Sequence, residues 1–251
     1  MTVNKNKLKY IPGIYATKRA DAAQMVDQYF REWETRRRKM KEKEIAAMDI
    51  PPAICISRKI GVGALEIADI LAEKINFRVA DRELLDYIAQ GVQLSDETVA
   101  FFDERYPGKM VELSAMILGE KSFIMSDYLR NFISAVFTFA HQGPTIFVGR
   151  GTHLILPRER VLAVRFICSN DYRIERLASI LGVAEKKAKK MLGEIDKEQR
   201  DFFKKAFGKK DASPYEFDMI INCEFITEPQ QAAEIVARAY AEKFEQTTHR
   251  R

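Results

Sequence analysis

The chain has 251 residues, 47% of them apolar, and a formal net charge of +5. That length is compatible with one large domain, or with one domain and an extension. No apolar run reaches the about 18 residues that a membrane span needs, and the polar N-terminus lacks an apolar signal region, so membrane insertion and export are not expected.

The charge is unevenly placed. Residues 1–50 hold 12 Lys and Arg against 7 Asp and Glu, whereas residues 51–251 hold 29 of each. The excess therefore sits on an N-terminal arm, and the body is balanced. After a loop over 1–17, residues 18–48 read as one helix, with Ala22, Met25, Val26, Tyr29, Phe30 and Trp33 at helical spacing. Pro51 and Pro52 end it and act as a joint. The chain thus divides into a basic helical extension, 1–50, and a body, 51–251. The arm reads as a solvated helix, with a protein partner or self-association as its possible contacts. Nucleic-acid binding is disfavoured, because the aromatic residues fall on the stripe expected to pack against the body.

Beyond the joint, strands and helices alternate. Short runs rich in Ile, Val and Phe predict strands at 53–57, 77–80, 145–149, 161–168 and 218–223. Helices are expected at 64–75 and 82–90, in several pieces over 95–141, and at 171–181, 184–207 and 229–245, with Gly182 as a C-cap. Such alternation predicts an α/β fold, a parallel sheet of about five strands covered by helices on both sides. Ligands of these sheets bind at the carboxyl ends of the strands. Cys55, Cys168 and Cys223 lie in strand-like segments without a CxxC motif or a His/Cys cluster. They read as buried thiols of a cytoplasmic protein, and no metal site is expected.

Four loops at strand ends carry the candidate chemistry. The first joins an apolar strand to a helix through Ser57, Arg58, Lys59, Ile60, Gly61, Val62, Gly63, Ala64 and Leu65. A glycine turn before a helix start is the layout of a phosphate cradle, because free backbone N–H groups face the anion. The Lys-Ser/Thr pair of a standard phosphate loop is missing, and Glu66 follows instead. Arg58 and Lys59 are the nearest positive charges. In the second loop Asp81 either caps the next helix or orients a hydroxyl or a metal-bound water, and Arg82 is a candidate phosphate donor. In the third, Gly149 and Gly151 flank Arg150 at the end of a buried strand, where an arginine needs an anion, structural or ligand. Nearby His153 reads as a packed or capping histidine rather than a catalytic one. In the fourth, Arg173 and Arg176 share a helix face, as do Asp196 and Arg200 on the next helix. They are either a salt-bridged surface pair or a lid that closes over phosphates.

Taken together, these loops resemble the cytidylate kinase-like branch of the nucleoside monophosphate kinases, over residues 53–240. The resemblance rests on Ile56-Ser57-Arg58 with the glycine loop, Ala80-Asp81-Arg82-Glu83-Leu84, Val148-Gly149-Arg150-Gly151, Arg173-Ile174-Glu175-Arg176 and Phe217-Asp218-Met219-Ile220-Ile221-Asn222. It implies a P-loop-kinase-like fold and transfer of a phosphoryl group from ATP, with Mg²⁺, to a nucleoside monophosphate, CMP or dCMP. By the same resemblance, Gly61 to Leu65, with Ser57, Arg58 and Lys59, cradle the ATP phosphates. Asp81, Arg82, Gly149, Arg150 and Gly151 line the acceptor, and Arg173, Arg176, Asp196 and Arg200 form the catalytic lid within 171–207. Residues 83–142 are the helical acceptor-binding insert. The chain departs from that pattern at Val62, Ala64 and Leu65, where the family carries Ser, Gly and Arg, and at Gln199, where it carries a lid arginine. Removing one good transition-state contact costs about 10²–10³ in rate. These departures therefore make a weak or inactive nucleotide-binding relative, regulatory or scaffolding, the alternative expectation.

Overall fold

A computed structural model describes residues 31, 32, 35, 50–81 and 127–244 of the chain. Arg31, Glu32 and Thr35 are helical. The rest of the expected arm helix, the helix expected at 82–90, Arg82 and the insert up to residue 126 lie outside the described residues.

Five parallel strands form one sheet in the order β2-β3-β1-β4-β5. They are β1 (Ala53–Arg58), β2 (Arg78–Ala80), β3 (Thr145–Val148), β4 (Val161–Ile167) and β5 (Met219–Asn222). The pairing is in register from Ala53 opposite Val161 to Arg58 opposite Phe166, and from Ile54 opposite Ile146 to Ile56 opposite Val148. The helices are α1 (Ala64–Ile75), α2 (Asp127–Gln142), α3 (Asn170–Leu181), α4 (Glu185–Phe207) and α5 (Pro229–Phe244).

Period-two alternation of the strands sorts their side chains onto two faces. Ile54, Ile56, Val164, Phe166 and Ile221 share one apolar cluster with Leu71 of α1 and Val236 of α5. Cys55, Phe147 and Ala163 share the other with Phe132 and Val136 of α2 and Phe207 at the end of α4. Burying each large apolar side chain contributes about 1.5–3 kcal/mol, so a sheet covered on both sides has a continuous apolar sequence in its central strands.

Helix ends follow local chemistry. Gly182 caps α3 in the left-handed conformation (φ 59°), as expected, and its N–H donates to Ala178 and Ser179 carbonyls. Ser169 caps the other end, its hydroxyl accepting from the Tyr172 N–H at 3.2 Å. Gly149 leaves β3 because its φ of 90° is incompatible with a strand. Cys55 and Cys223 are buried thiols, each pushed up to about 12 by desolvation, whereas Cys168 is only partly buried. No described helix is long and apolar enough to cross a membrane. The sheet places β1 between β3 and β4, so the strand order reverses around it, and the crevice for a ligand opens at its carboxyl end.

Candidate functional site

A cleft of about 130 Å³ opens there. Its walls come from the ends of β1, β3 and β4, from α4, and from the segment after α4. Arg58, Lys59, Arg150, Arg165, Arg200 and Lys210 line it, against two carboxylates, Asp196 and Asp211. Both carboxylates have a local cation. Asp211 accepts from Arg165 Nη2 at 3.1 and 3.0 Å, and Asp196 is held by Arg173. The surface facing the cleft is strongly cationic and suits an anion of more than one charge.

The Gly149-Arg150-Gly151 turn is built by packing. All three residues have positive φ, at 90°, 55° and 68°. A Cβ on Gly151 would stand 2.4 Å from the Phe207 ring, and one on Gly149 would stand 3.3 Å from the Arg58 guanidinium. Only glycine fits both positions. Arg150 tolerates a left-handed backbone that costs a side-chain-bearing residue about 1–2 kcal/mol, and its guanidinium lies 4.1 Å from the centre of the Phe202 ring. The Gly149 N–H donates to the Ile56 carbonyl at 2.8 Å, fixing the turn to β1.

The glycine loop after β1 is a separate feature. Gly61 and Gly63 have φ of 92° and 88°, as a strand-to-helix turn requires, but side chains of the protein cover them. A Cβ on Gly61 would meet the Arg173 Cβ at 3.3 Å, and one on Gly63 would meet the Arg176 guanidinium at 3.2 Å. Val62, Ala64 and Leu65 are buried and belong to the apolar cluster under α1 and α5. The depression left over the loop holds about 10 Å³, roughly the space of one water. Glu66 in the first turn of α1 accepts from Arg176 Nη2 at 2.7 Å.

Arg173 is almost fully buried and is committed to protein groups. Its Nε donates to the Ile60 carbonyl at 2.7 Å. Its Nη1 donates to Asn170 Oδ1 at 3.0 Å and to Asp196 Oδ2 at 2.9 Å, and its Nη2 to Asp196 Oδ1 at 2.6 Å. One side chain therefore ties the loop, α3 and α4 together. Ile60 completes this seam by packing with Leu177, Ala178, Ala188 and Leu192 of the helical pair.

Most of the expected site residues that are described fall into two groups. Ser57, Arg58, Lys59, Gly149, Arg150, Gly151, Asp196 and Arg200 come together in the cleft. Gly61, Val62, Gly63, Ala64 and Leu65 line the shallow depression together with Arg58 and Lys59, which border both spaces, and Arg173 and Arg176 pack over its glycines. Asp81 is buried just past β2 and is not among the residues lining the cleft. His153 is a packed histidine, as expected. It stacks on Phe217 and bonds Glu216 at 3.2 Å, and burial lowers its pKa. Sequence reasoning missed Arg165, Phe202, Phe203 and Lys210. Arg165 carried a signal, an arginine inside the apolar run Val161–Ile167, identical in logic to the one that singled out Arg150.

The residues present do not fit Mg²⁺–ATP at the glycine loop in this conformation. The loop has neither Lys nor Ser/Thr at its helix start, its free volume is that of a water, and Glu66 places a carboxylate beside it. Among the described residues, no group of three or more His, Cys, Asp or Glu side chains is arranged to hold a metal.

Three solved structures are similar to the chain. An uncharacterized protein from Eubacterium ventriosum ATCC 27560 is similar at 18% identity, with a TM-score of 0.57, covering 76% of this chain and 98% of that one. A gluconokinase from Sinorhizobium meliloti 1021 aligns at 14% identity with a TM-score of 0.45, over 80% of this chain and 97% of its own. A shikimate kinase from Bacteroides thetaiotaomicron aligns at 16% and 0.37, over 77% and 98%. No curated protein matches the chain. The cytidylate kinase-like family model matches residues 53–224, most of the chain, and the chain belongs to that family.

Proposed function

We propose that this protein binds a nucleoside monophosphate, CMP or dCMP, through its phosphate in the cationic cleft, and that it transfers phosphoryl groups from ATP weakly or not at all. The observation that carries this reading is the contrast between the two halves of the site. The cleft at the ends of β1, β3 and β4 is lined by arginines, while the loop that would receive the donor carries the core residues Val62 and Leu65 in place of polar groups and has Arg176, paired with Glu66, packed on Gly63.

In the cleft, Arg58, Lys59, Arg150 and Arg200 supply donors for phosphate oxygens, and guanidinium groups do so in pairs. Arg165 is braced by Asp211 and by the Ala212 carbonyl at 2.7 Å, which presents it in a fixed orientation. Phosphoryl transfer between nucleotides needs positioning and charge rather than a general base, because the attacking phosphate oxygen is already anionic. The cleft therefore has the acceptor's half of that chemistry. P-loop kinases in general supply the other half with ATP and Mg²⁺, and here the loop lacks the groups that hold them.

Titration calorimetry with CMP and, separately, with Mg²⁺–ATP tests this, with ADP formation followed on the same sample. The expected result is CMP binding, weak or absent ATP binding, and little ADP. Rapid ADP formation would establish an efficient kinase and overturn the inactive half of the reading. Absence of binding by any nucleoside monophosphate would overturn the other half and turn attention to a protein partner.

A further inference from the structure

The glycine loop is not merely short of charges; it is engaged by a carboxylate–guanidinium pair of the chain itself. Glu66 stands on the first turn of α1, and Arg176 on the second turn of α3. They meet at 2.7 Å, with the Arg176 guanidinium lying 3.2 Å from where a Cβ of Gly63 would be. The glycine that would let a phosphate approach the backbone therefore admits the flat face of an arginine instead. Both side chains are partly exposed, at 26% for Arg176 and 39% for Glu66. The pair is reachable from solvent and its partners can separate without exposing a core. The buried Arg173 holds α3 against the loop independently, so the fold does not depend on this second pair.

We infer that the Glu66–Arg176 pair is an autoinhibitory latch: Glu66 occupies the guanidinium that would otherwise take a polyphosphate at this loop. The inference rests on the reading above that the loop is closed in the native chain. Two charges compete for one arginine. An intramolecular carboxylate on a fixed helix turn has a high effective concentration, and it also repels an incoming polyanion. Removing its charge while keeping its shape should weaken its hold on Arg176 and remove the repulsion together.

The test uses the full chain carrying Glu66→Gln, with inorganic tripolyphosphate as the probe and CMP as an internal control. Tripolyphosphate has no nucleoside, so it reports on the loop without using base contacts. The expected result is that Glu66→Gln raises tripolyphosphate affinity about tenfold or more, equivalent to about 1.4 kcal/mol, while CMP affinity stays within about twofold. The gain should vanish in Glu66→Gln/Arg176→Gln. Equal tripolyphosphate affinity in the native chain and in Glu66→Gln would overturn the latch, as would a gain that survives in the double variant. Glu66→Ala provides a second variant at the same site, and a fall in affinity there with an unchanged melting temperature would also count against the latch. Loss of CMP binding in the native chain would instead strike the reading of the cleft, so the two failures are distinguishable.

Discussion

Replacing Arg173 by Met removes a buried side chain that bonds the loop, α3 and α4 together, and the structure sets the size of the effect. The guanidinium makes four hydrogen bonds, two of them in a fork to Asp196. Its side chain is 2% exposed and that of Asp196 is 17% exposed. Breaking a buried ion pair by deleting one partner costs about 3–5 kcal/mol, because the other charge stays behind. Asp196 borders the cleft and recovers part of its hydration, which places the cost near the lower end, about 3 kcal/mol. For a domain of this size that corresponds to a fall of about 6–12 °C in melting temperature. Calorimetric melting of the ligand-free protein measures it. Arg173→Lys keeps the charge without the fork and should fall in between, and Arg173→Met/Asp196→Asn should recover part of the loss by removing the stranded carboxylate. A drop below about 2 °C in Arg173→Met, together with weakened ligand binding, would refute this reasoning and make Arg173 a ligand-contacting lid arginine after all.

Gly151→Ala should destabilise the protein by about 2 kcal/mol or more, since the new methyl meets Phe207 at 2.4 Å on a backbone with φ of 68°; an unchanged urea midpoint would contradict the packing described here. Glu216 responds to burial, which raises its pKa, and to hydrogen bonds from His153 and Lys209, which lower it and win, holding it at about 2. Its folded pKa lies below the ordinary 4.5, so the stability it contributes is present above pH 4.5 and is lost as pH falls toward 2. Urea unfolding across that window should show a shallower acid limb in Glu216→Gln than in the native protein. Arg200→Ala should weaken CMP binding about tenfold with little change in melting temperature, as expected for a cation at the cleft surface rather than in the core; titration calorimetry at constant salt checks it.

The strands were legible because a sheet covered on both faces leaves uninterrupted runs of Ile, Val and Phe, and the glycines at the ends of β1 and β3 marked turns that do require positive φ. The resemblance at five segments was enough to place the family. What the residues did not disclose was who pairs with whom. Arg173 and Arg176 share a helix face in the sequence, which left open both a salt-bridged pair and a lid closing over phosphates. In the fold, Arg173 is turned inward to an aspartate on α4 and Arg176 to a glutamate on α1. Those partners are 23 and 110 residues away, and helical periodicity carries no information about such pairings. Arg165 was hidden for a different reason. An apolar strand was read for its core residues, while its lone arginine, braced by Asp211, belongs to the cleft.

The same distinction governs any attempt to rebuild the loop. By sequence, Val62→Ser, Ala64→Gly and Leu65→Arg return it to the family's pattern, and the expectation is higher ATP affinity. In the fold, Leu65 is 4% exposed and Val62 3% exposed, and both pack in the cluster that includes Ile56, Leu71 and Val236. An arginine at position 65 has to place its charge in that cluster or force α1 away from the sheet. Burying an unpaired charge is disfavoured by several kcal/mol, so Leu65→Arg should unfold or markedly destabilise the protein rather than confer a donor site. Val62→Ser is milder, removing two methyl groups from the cluster and introducing one hydroxyl. It should cost about 1–3 kcal/mol without raising ATP affinity while Glu66 and Arg176 remain paired. Thermal melting and ATP titration of the two single variants separate the cases. A stable Leu65→Arg that binds ATP would mean that Leu65 swings out of the core and that the loop opens readily. A destabilised Leu65→Arg alongside a Glu66→Gln that gains polyphosphate affinity would mean that the loop is shut by its ion pair and supported by its core, two separate contributions that the sequence presents as a single motif.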